Sequence, residues 1–315
     1  MTAYAIGLDV GGTKVAGGVV SCTTGEVFLR TIMPTHANRG GEAVLADCMA
    51  LATQLQQQAQ AQAKYITGIG MGVCELVDPA GHITSAYNFD WRGVPVQERL
   101  ATIAPAVVES DVRAAALAEA RYGAGAQFQL FCYVTVGTGI SCCFVQEGRP
   151  LAGARGNALV LASMPLTTTC TTCGAVLNPV LEEFAAGPAL LKRYQQATGR
   201  ALPSGPALFA ASAAQDEAAT TILHSAGAAL GNSVAFLCNL LDPAAVIVGG
   251  GLGLAGGLYW DAFVEATRSH IYADDTRMLP ILPAALGGDA GLIGAAATVE
   301  RLSINSASVR QARSS

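Results

Sequence analysis

The segment "YAIGLDVGGTKVAGGVVS", Tyr4 to Ser21, holds two apolar runs separated by "GGTK". Short apolar runs on either side of a glycine turn read as a strand hairpin. The pattern returns in "LFCYVTVGTGISCCFVQEG", Leu130 to Gly148, with "GTG" at its tip. Two hairpins of one design predict a duplicated α/β fold whose halves face one cleft.

The intervening sequence agrees with alternating helices and strands. "GGEAVLADCMALATQLQQQAQAQA" has helical periodicity and strong helix formers, and its glutamine-rich end reads as an exposed face. "ITGIGMGV" reads as a strand, and "AYNFDWRGVPVQERL" as a loop entering a short helix. "AVVESD" ends a strand, and "VRAAALAEARYG" is a helix closed by Gly123. Helices are expected over "PVLEEFAAGPALLKRYQQATG" and "DEAATTILHSAGAALGNSVAFLCNLL", followed by the strand "AAVIVGGG".

Composition narrows the function classes. The chain has 315 residues, enough for two α/β domains, with 51% hydrophobic and 13% charged residues. A net charge of −5 gives no footprint for nucleic acid or an anionic membrane. The start carries no signal-peptide pattern, and the apolar stretch around residues 229–253 is interrupted by Asn232, Asn239, Asp242 and Pro243, so no membrane span and a cytoplasmic location are expected. Nine cysteines without framework spacing read as free, mostly buried thiols, with Cys142 and Cys143 packing in a strand. The four histidines (His36, His82, His224 and His270) match no catalytic motif and read as surface or helix residues.

The glycine turns carry the first chemical signal. In "LDVGGTK", Asp9 ends a strand, and Gly11 and Gly12 leave backbone N–H groups that phosphate oxygens can approach. Thr13 adds a hydroxyl and Lys14 a charge, and Asp9 could hold Mg²⁺ through water. Gly137, Thr138 and Gly139 repeat the logic for a second part of a polyphosphate. Gly249, Gly250 and Gly251 follow a buried strand and could take a nucleoside. Neither a GxxxxGK[ST] loop nor a GxGxxG after the first strand is present. Asp111, at a strand end and opening a helix, reads as an N-cap or as a general base taking a proton from a substrate hydroxyl.

In order along the chain, "LDVGGTK", "ESDVRAAALAE", "VTVGTGIS", "GARGNA", "VIVGGGLG" and "LGGDAGLIGAA" resemble the motifs of the ROK sugar kinases, the bacterial glucokinases, fructokinases and N-acylhexosamine kinases. The resemblance implies an actin-like (ribonuclease-H-like) ATPase fold of two α/β domains around a cleft. The smaller domain would span 1–115, completed by a helix from about 290–303, and the larger 116–289. It further implies ATP, Mg²⁺, a small sugar-like substrate and a homodimer. The phosphate turn begins at Asp9, which leaves no room for the DNA-binding extension of ROK repressors. By the same resemblance Asp111 matches the catalytic base. Asp9, Gly11, Gly12, Thr13, Gly137, Thr138 and Gly139 match phosphate positions. Asn88 and Asn157 match sugar contacts, and Glu182 matches the Glu ending the cysteine motif.

The segment "GARGNALVLASMPLTTTCTTCG", Gly153 to Gly174, departs from that family. On its own it reads as a metal site, a buried strand or a rewritten catalytic segment. Where the family has "GNAGExGH", this chain has "GNALVLAS", with Val160 for the Glu and Ser163 for the His. Where the family has "CxCGxxGCxE", it has "CTTCGAVLNPVLEE". At most Cys170 and Cys173 remain of four zinc ligands, so two free thiols are expected and no structural zinc. Ser110 also replaces the Asn that precedes the base. The phosphate turns and Asp111 persist while polar sugar contacts are lost, which argues against ordinary glucose. The expected activity is phosphoryl transfer to a primary hydroxyl of an amino sugar such as kanosamine, or of a C7-cyclitol. A non-catalytic sugar-binding or regulatory relative and a purely structural interaction protein are the alternatives. Arg113 and Arg155 read as solvated surface.

Overall fold

The structure, a computed structural model, describes residues 2–169 and 174–302. In chain order the elements are β1 (Ala3–Val10), β2 (Lys14–Ser21), β3 (Val27–Pro34), α1 (Gly41–Ala61), β4 (Tyr65–Val73), α2 (Val96–Leu100), β5 (Ala106–Ser110) and α3 (Asp111–Tyr122). Then come β6 (Leu130–Val136), β7 (Ile140–Gln146), β8 (Arg149–Pro150), β9 (Thr168–Thr169), β10 (Val176–Leu177), α4 (Leu181–Ala185), α5 (Gly187–Thr198), α6 (Gly205–Ala213) and α7 (Glu217–Leu241). The chain ends through β11 (Ala245–Gly249), α8 (Gly257–His270), α9 (Asp274–Arg277), β12 (Ile281–Pro283) and α10 (Ala290–Ala297).

The chain forms two compact units. The first comprises residues 1–127, 145–158 and 285–315, and the second 128–144 and 159–284. The first therefore runs through the whole of α3, past the boundary at 115 expected from sequence, and takes in the "GARGNA" loop as far as Ala158.

The first unit is a five-stranded sheet in the order β3–β2–β1–β4–β5. β1, β4 and β5 run parallel, while β2 and β3 are antiparallel to their neighbours. Its inner strands β1, β2, β4 and β5 are apolar on both faces because both faces are covered, while edge strand β3 alternates half-buried and exposed residues. Val44, Leu45, Cys48, Leu51 and Leu55 of α1 join Ile6, Leu8, Val15 and Ile69 in one core. Leu292, Ile293 and Ala296 of α10 join Ala5, Val20 and Ala118 in another. α10 lies so close to the sheet that a Cβ built on Gly70 would stand 1.6 Å from the Ala295 carbonyl oxygen.

The second unit holds β12–β11–β6–β7, with β11 parallel to both β6 and β12, and β7 ends in a short hairpin with β8. Leu181, Leu190, Leu230, Val234 and Phe263, from helices α4, α5, α7 and α8, share one buried core with Val134, Val136, Val246 and Val248 of this sheet. α7 is the one helix among the described residues long and apolar enough to cross a membrane, but 56% of its apolar window is buried as core. Asp216 caps its start by accepting from the Ala219 amide. The helix expected over 179–199 divides into α4 and α5 at extended Ala186. Pro188 explains the break, since its ring would clash with the Phe184 carbonyl in an unbroken helix. The "ALVLAS" stretch is neither strand nor metal loop but a single 3-10 turn, Leu161–Ser163, with only Leu161 buried. Cys22, Cys48, Cys74, Cys132, Cys142 and Cys238 are free thiols.

Substituting Gly70→Ala should cost about 2–5 kcal/mol of stability, because backbone on both sides must move. A denaturant titration checks this; a loss below about 0.5 kcal/mol would mean α10 can shift freely.

Candidate active site

Parallel strands present their C-terminal ends on one side of a sheet, and in open α/β sheets that side carries the ligand. In the first unit Asp9, near the end of β1, pairs in register with Gly72 of β4, and Val73 of β4 pairs with Ser110 of β5. Asp9, the residues after Val73 and Asp111 are thus brought to one edge. The "GGTK" turn adjoins it, closed by Gly11 N–H donating to the Lys14 carbonyl at 3.0 Å. Buried Thr35 braces the turn, its hydroxyl donating to the Gly11 carbonyl at 2.6 Å and its amide to the Thr13 carbonyl at 3.0 Å. Among the described residues, neither the Gly12 nor the Thr13 amide has an acceptor. Those are bare donors of the kind phosphate oxygens take. Lys14 is exposed beside them.

Asp111 is the first residue of α3, not its cap. Ser110 occupies the cap position, but its side chain caps nothing, and its buried hydroxyl has no hydrogen-bond partner among the described residues. The Asp111 carboxylate accepts from the adjacent Val112 amide at 2.7 Å. Burial, then the charge of Asp9 and more weakly that of Glu75, pushes the Asp111 carboxyl up to about 7, against the Val112 amide and the Arg113 charge. Asp9 is itself raised, by burial and by Asp289, with Lys14 opposing. A carboxylate near neutrality is suited to accept a proton from a hydroxyl.

Asn88 stands over the glycine turn. Its Nδ2 donates to the Cys74 carbonyl at 3.2 Å, and a Cβ built on Gly12 would lie 2.5 Å from its Oδ1. The neighbouring Phe89 and Trp91 rings are buried and stacked, with centroids 4.8 Å apart.

Arg113 is buried, which corrects its reading as solvated surface. Its Nε donates to Glu109 at 2.6 Å, its Nη1 to the Gly156 carbonyl at 2.7 Å and its Nη2 to the Val77 carbonyl at 2.6 Å. Arg301 donates to the other Glu109 oxygen at 2.6 Å. Arg113 thereby ties down the loop that presents exposed Asn157. Arg155 is exposed, as are all four histidines.

In the second unit three loops meet. The Gly187 amide, opening α5, donates to the Gly137 carbonyl at 2.9 Å. The Val136 carbonyl accepts from Leu252 and Gly253 at 3.0 and 3.1 Å. Gly250 has φ +82°, and a Cβ there would lie 2.3 Å from the Val136 oxygen, so this turn admits only glycine. Among the described residues the amides of Thr138, Gly139, Gly250 and Gly251 have no acceptor. Glu182 lies against this cluster: its Oε2 accepts from the Ile140 amide at 2.8 Å and crowds Gly139. Val160 is 47% exposed, and the Ser163 hydroxyl donates to the Val160 carbonyl at 3.1 Å.

The predicted residues therefore fall into two sets. Asp9, Gly11, Gly12, Thr13, Lys14, Asn88, Ser110, Asp111 and Asn157 belong to the first unit. Gly137, Thr138, Gly139, Val160, Ser163, Glu182 and Gly249 to Gly251 belong to the second. Cys170 and Cys173 lie outside the described residues, and no group of three metal-ligating side chains occurs among the described ones. Sequence reasoning missed Glu75, Thr35 and the Glu109–Arg113–Arg301 network. For Glu75 a signal existed, an acidic residue two places beyond an apolar strand.

The ROK family model matches residues 5–301, and the chain belongs to the ROK family. It is 33% identical over 298 residues to the bifunctional enzyme NanE/NanK of Brucella melitensis, covering 92% of this chain and 53% of that protein, so it spans about half the length of that relative. It is 29% identical to a glucokinase of Streptomyces coelicolor, covering 92% of this chain and 96% of that one. The ROK glucokinase of Streptomyces griseus, solved with glucose and AMPPNP, superposes with a TM-score of 0.78 at 27% identity, covering 95% and 99% of the two chains. The fold is the actin-like ATPase fold of these kinases.

Two outcomes follow for this site. Asp111 has a folded value near 7 against 3.8 unfolded, so its contribution to stability is whole below 3.8 and lost as pH rises through 7. Asp111→Asn should therefore raise stability at pH 8 by on the order of 1–3 kcal/mol, and less at pH 5, in thermal melts. An equal effect at both pH values would contradict the assignment. Arg113→Met should cost about 3–5 kcal/mol by removing one of the two guanidinium partners of buried Glu109 and the donor of the Gly156 and Val77 carbonyls, whereas a surface arginine would cost under about 0.5.

Proposed function

We propose that the protein is an ATP-dependent kinase that transfers the γ-phosphate to a primary hydroxyl of a hexose-like substrate. The observation that carries this reading is a carboxylate poised near neutrality, Asp111, beside the bare amides of the Gly12–Thr13 turn. The ROK glucokinase with bound glucose and AMPPNP supports it.

Asp111 accepts the proton of the acceptor hydroxyl, whose oxygen attacks the γ-phosphorus while ADP leaves. Such transfer relies on positioning and charge stabilisation more than on covalent chemistry by the protein. The Gly12 and Thr13 amides and Lys14 receive phosphate oxygens, as do Thr138 and Gly139. Gly249 to Gly251 take the nucleoside. Asn88 and Asn157 hold the acceptor. Mg²⁺ fits Asp9, since this ion commonly uses one or two carboxylates and otherwise phosphate oxygens and water; it would neutralise charge on the phosphates.

The acceptor differs from glucose on the side away from the reacting oxygen. Val160 offers hydrocarbon and Ser163 satisfies its own backbone, so neither binds a hydroxyl as Glu and His would. An amino sugar such as kanosamine or a C7-cyclitol suits that change. The same loss favours a second reading, a sugar-binding relative without turnover. ATP consumption coupled to ADP detection, across hexoses, aminohexoses, N-acylhexosamines and C7-cyclitols, separates the two. The kinase reading expects turnover on one class, with an acidic limb near pH 7, and a loss of at least ~100-fold in Asp111→Asn. Binding of a sugar with no phosphoryl transfer to any acceptor would favour the second.

A further inference from the structure

Glu75 is a carboxylate 4% exposed, two residues beyond the end of β4, that the reaction itself does not use. Among the described residues it has no basic partner. Instead its oxygens accept four donors from one short loop. Oε1 takes the Asn88 amide and, at 3.1 Å, the Phe89 amide; Oε2 takes the Ser85 hydroxyl and, at 2.9 Å, the Tyr87 amide. Ser85 in turn accepts from the Leu76 amide at 2.8 Å. Three successive amides converging on an anion make a nest, here filled by the protein's own carboxylate. The loop wraps around Glu75 on one side and is held by the buried Phe89–Trp91 stack on the other. Between these anchors sits Asn88, its carboxamide set between the Cys74 carbonyl and Gly12.

We propose that Glu75 is a positioning residue for the acceptor: it fixes the 85–89 loop so that Asn88 meets the acceptor substrate above the glycine turn. This rests on the kinase reading given above. The charge matters as well as the shape. A glutamine has the same outline but replaces one acceptor oxygen by an NH₂ group that faces N–H or O–H donors. Two of the four hydrogen bonds are then lost, and donors are left buried without acceptors. The glycine turn is held by Thr35 and the Lys14 carbonyl, independently of Glu75, so phosphate binding should not follow.

The test compares wild type, Glu75→Gln, Asn88→Ala and the double variant, with amide hydrogen exchange and steady-state kinetics. Glu75→Gln should speed exchange of the 85–89 amides roughly tenfold or more while leaving α3 unchanged. It should raise the acceptor KM roughly 10–100-fold with the ATP KM within about twofold. In the Asn88→Ala background the same change should add less than about threefold, since there is no carboxamide left to position. If Glu75→Gln does not fold, Ser85→Ala removes one donor, keeps the carboxylate and should shift exchange and acceptor KM in the same direction. Unchanged exchange of 85–89, equal rises in both KM values, or additive effects with Asn88→Ala would overturn the proposal. A wild type silent on every acceptor would sink the kinase reading instead, and unchanged exchange in Glu75→Gln would then still reject the loop anchor.

Discussion

Three carboxylates, those of Asp9, Glu75 and Asp111, are gathered where neighbouring strands of the first unit end, and like charges at short range oppose ionisation. Each is held there by a different solution. Glu75 is fully supplied with donors from its own loop. Asp9 faces the opening turn of α10 and the charge of Lys14. Among the described residues Asp111 receives only the amide of its neighbour, and burial with the Asp9 charge raises its affinity for a proton. The sheet order β2–β1–β4–β5 is what makes this possible, since it aligns three chain ends that lie far apart in sequence. The raised proton affinity of Asp111 is thus a consequence of packing and not of the aspartate alone.

Much of this was legible in the sequence because its signals are local. A glycine turn after an apolar strand is written in six or seven consecutive residues, so "LDVGGTK" and "VTVGTGIS" were found at their true positions at the ends of β1 and β6. Asp111 was legible for the same reason, as a strand-to-helix junction. What escaped depends on partners distant in the chain. Arg113 looked like surface because arginines usually are; its buried partners are Val77, Gly156 and Glu109, two of them remote. Thr35 lies 24 residues beyond the carbonyl it braces. The α4–α5 break was readable from Pro188, but the bond from Gly187 to Gly137 that gives it meaning was not.

The segment 153–169 departs from the family pattern in its sequence and is tied to the first unit at its start. Its first part is secured by the Gly156 carbonyl on Arg113, so Asn157 keeps a fixed base. Its continuation is a 3-10 turn with an apolar residue outward. Among the described residues, no side-chain hydrogen bond runs from Val160 or Ser163 to the glycine loops of either unit. Those loops depend on Thr35 in the first and on Glu182 and Gly187 in the second. Val160 and Ser163 can therefore differ from the family pattern without disturbing the parts assigned to phosphate.

The most direct test of the central claim is a carboxyl ¹³C NMR titration of the protein, with Asp111→Asn and Asp9→Asn beside it. The account predicts one aspartate resonance titrating near pH 7, absent in Asp111→Asn and moved to lower pH in Asp9→Asn. If every aspartate in the wild type titrates in the ordinary range around 4, Asp111 is not tuned toward neutrality by its neighbours, and the base assignment loses its physical ground.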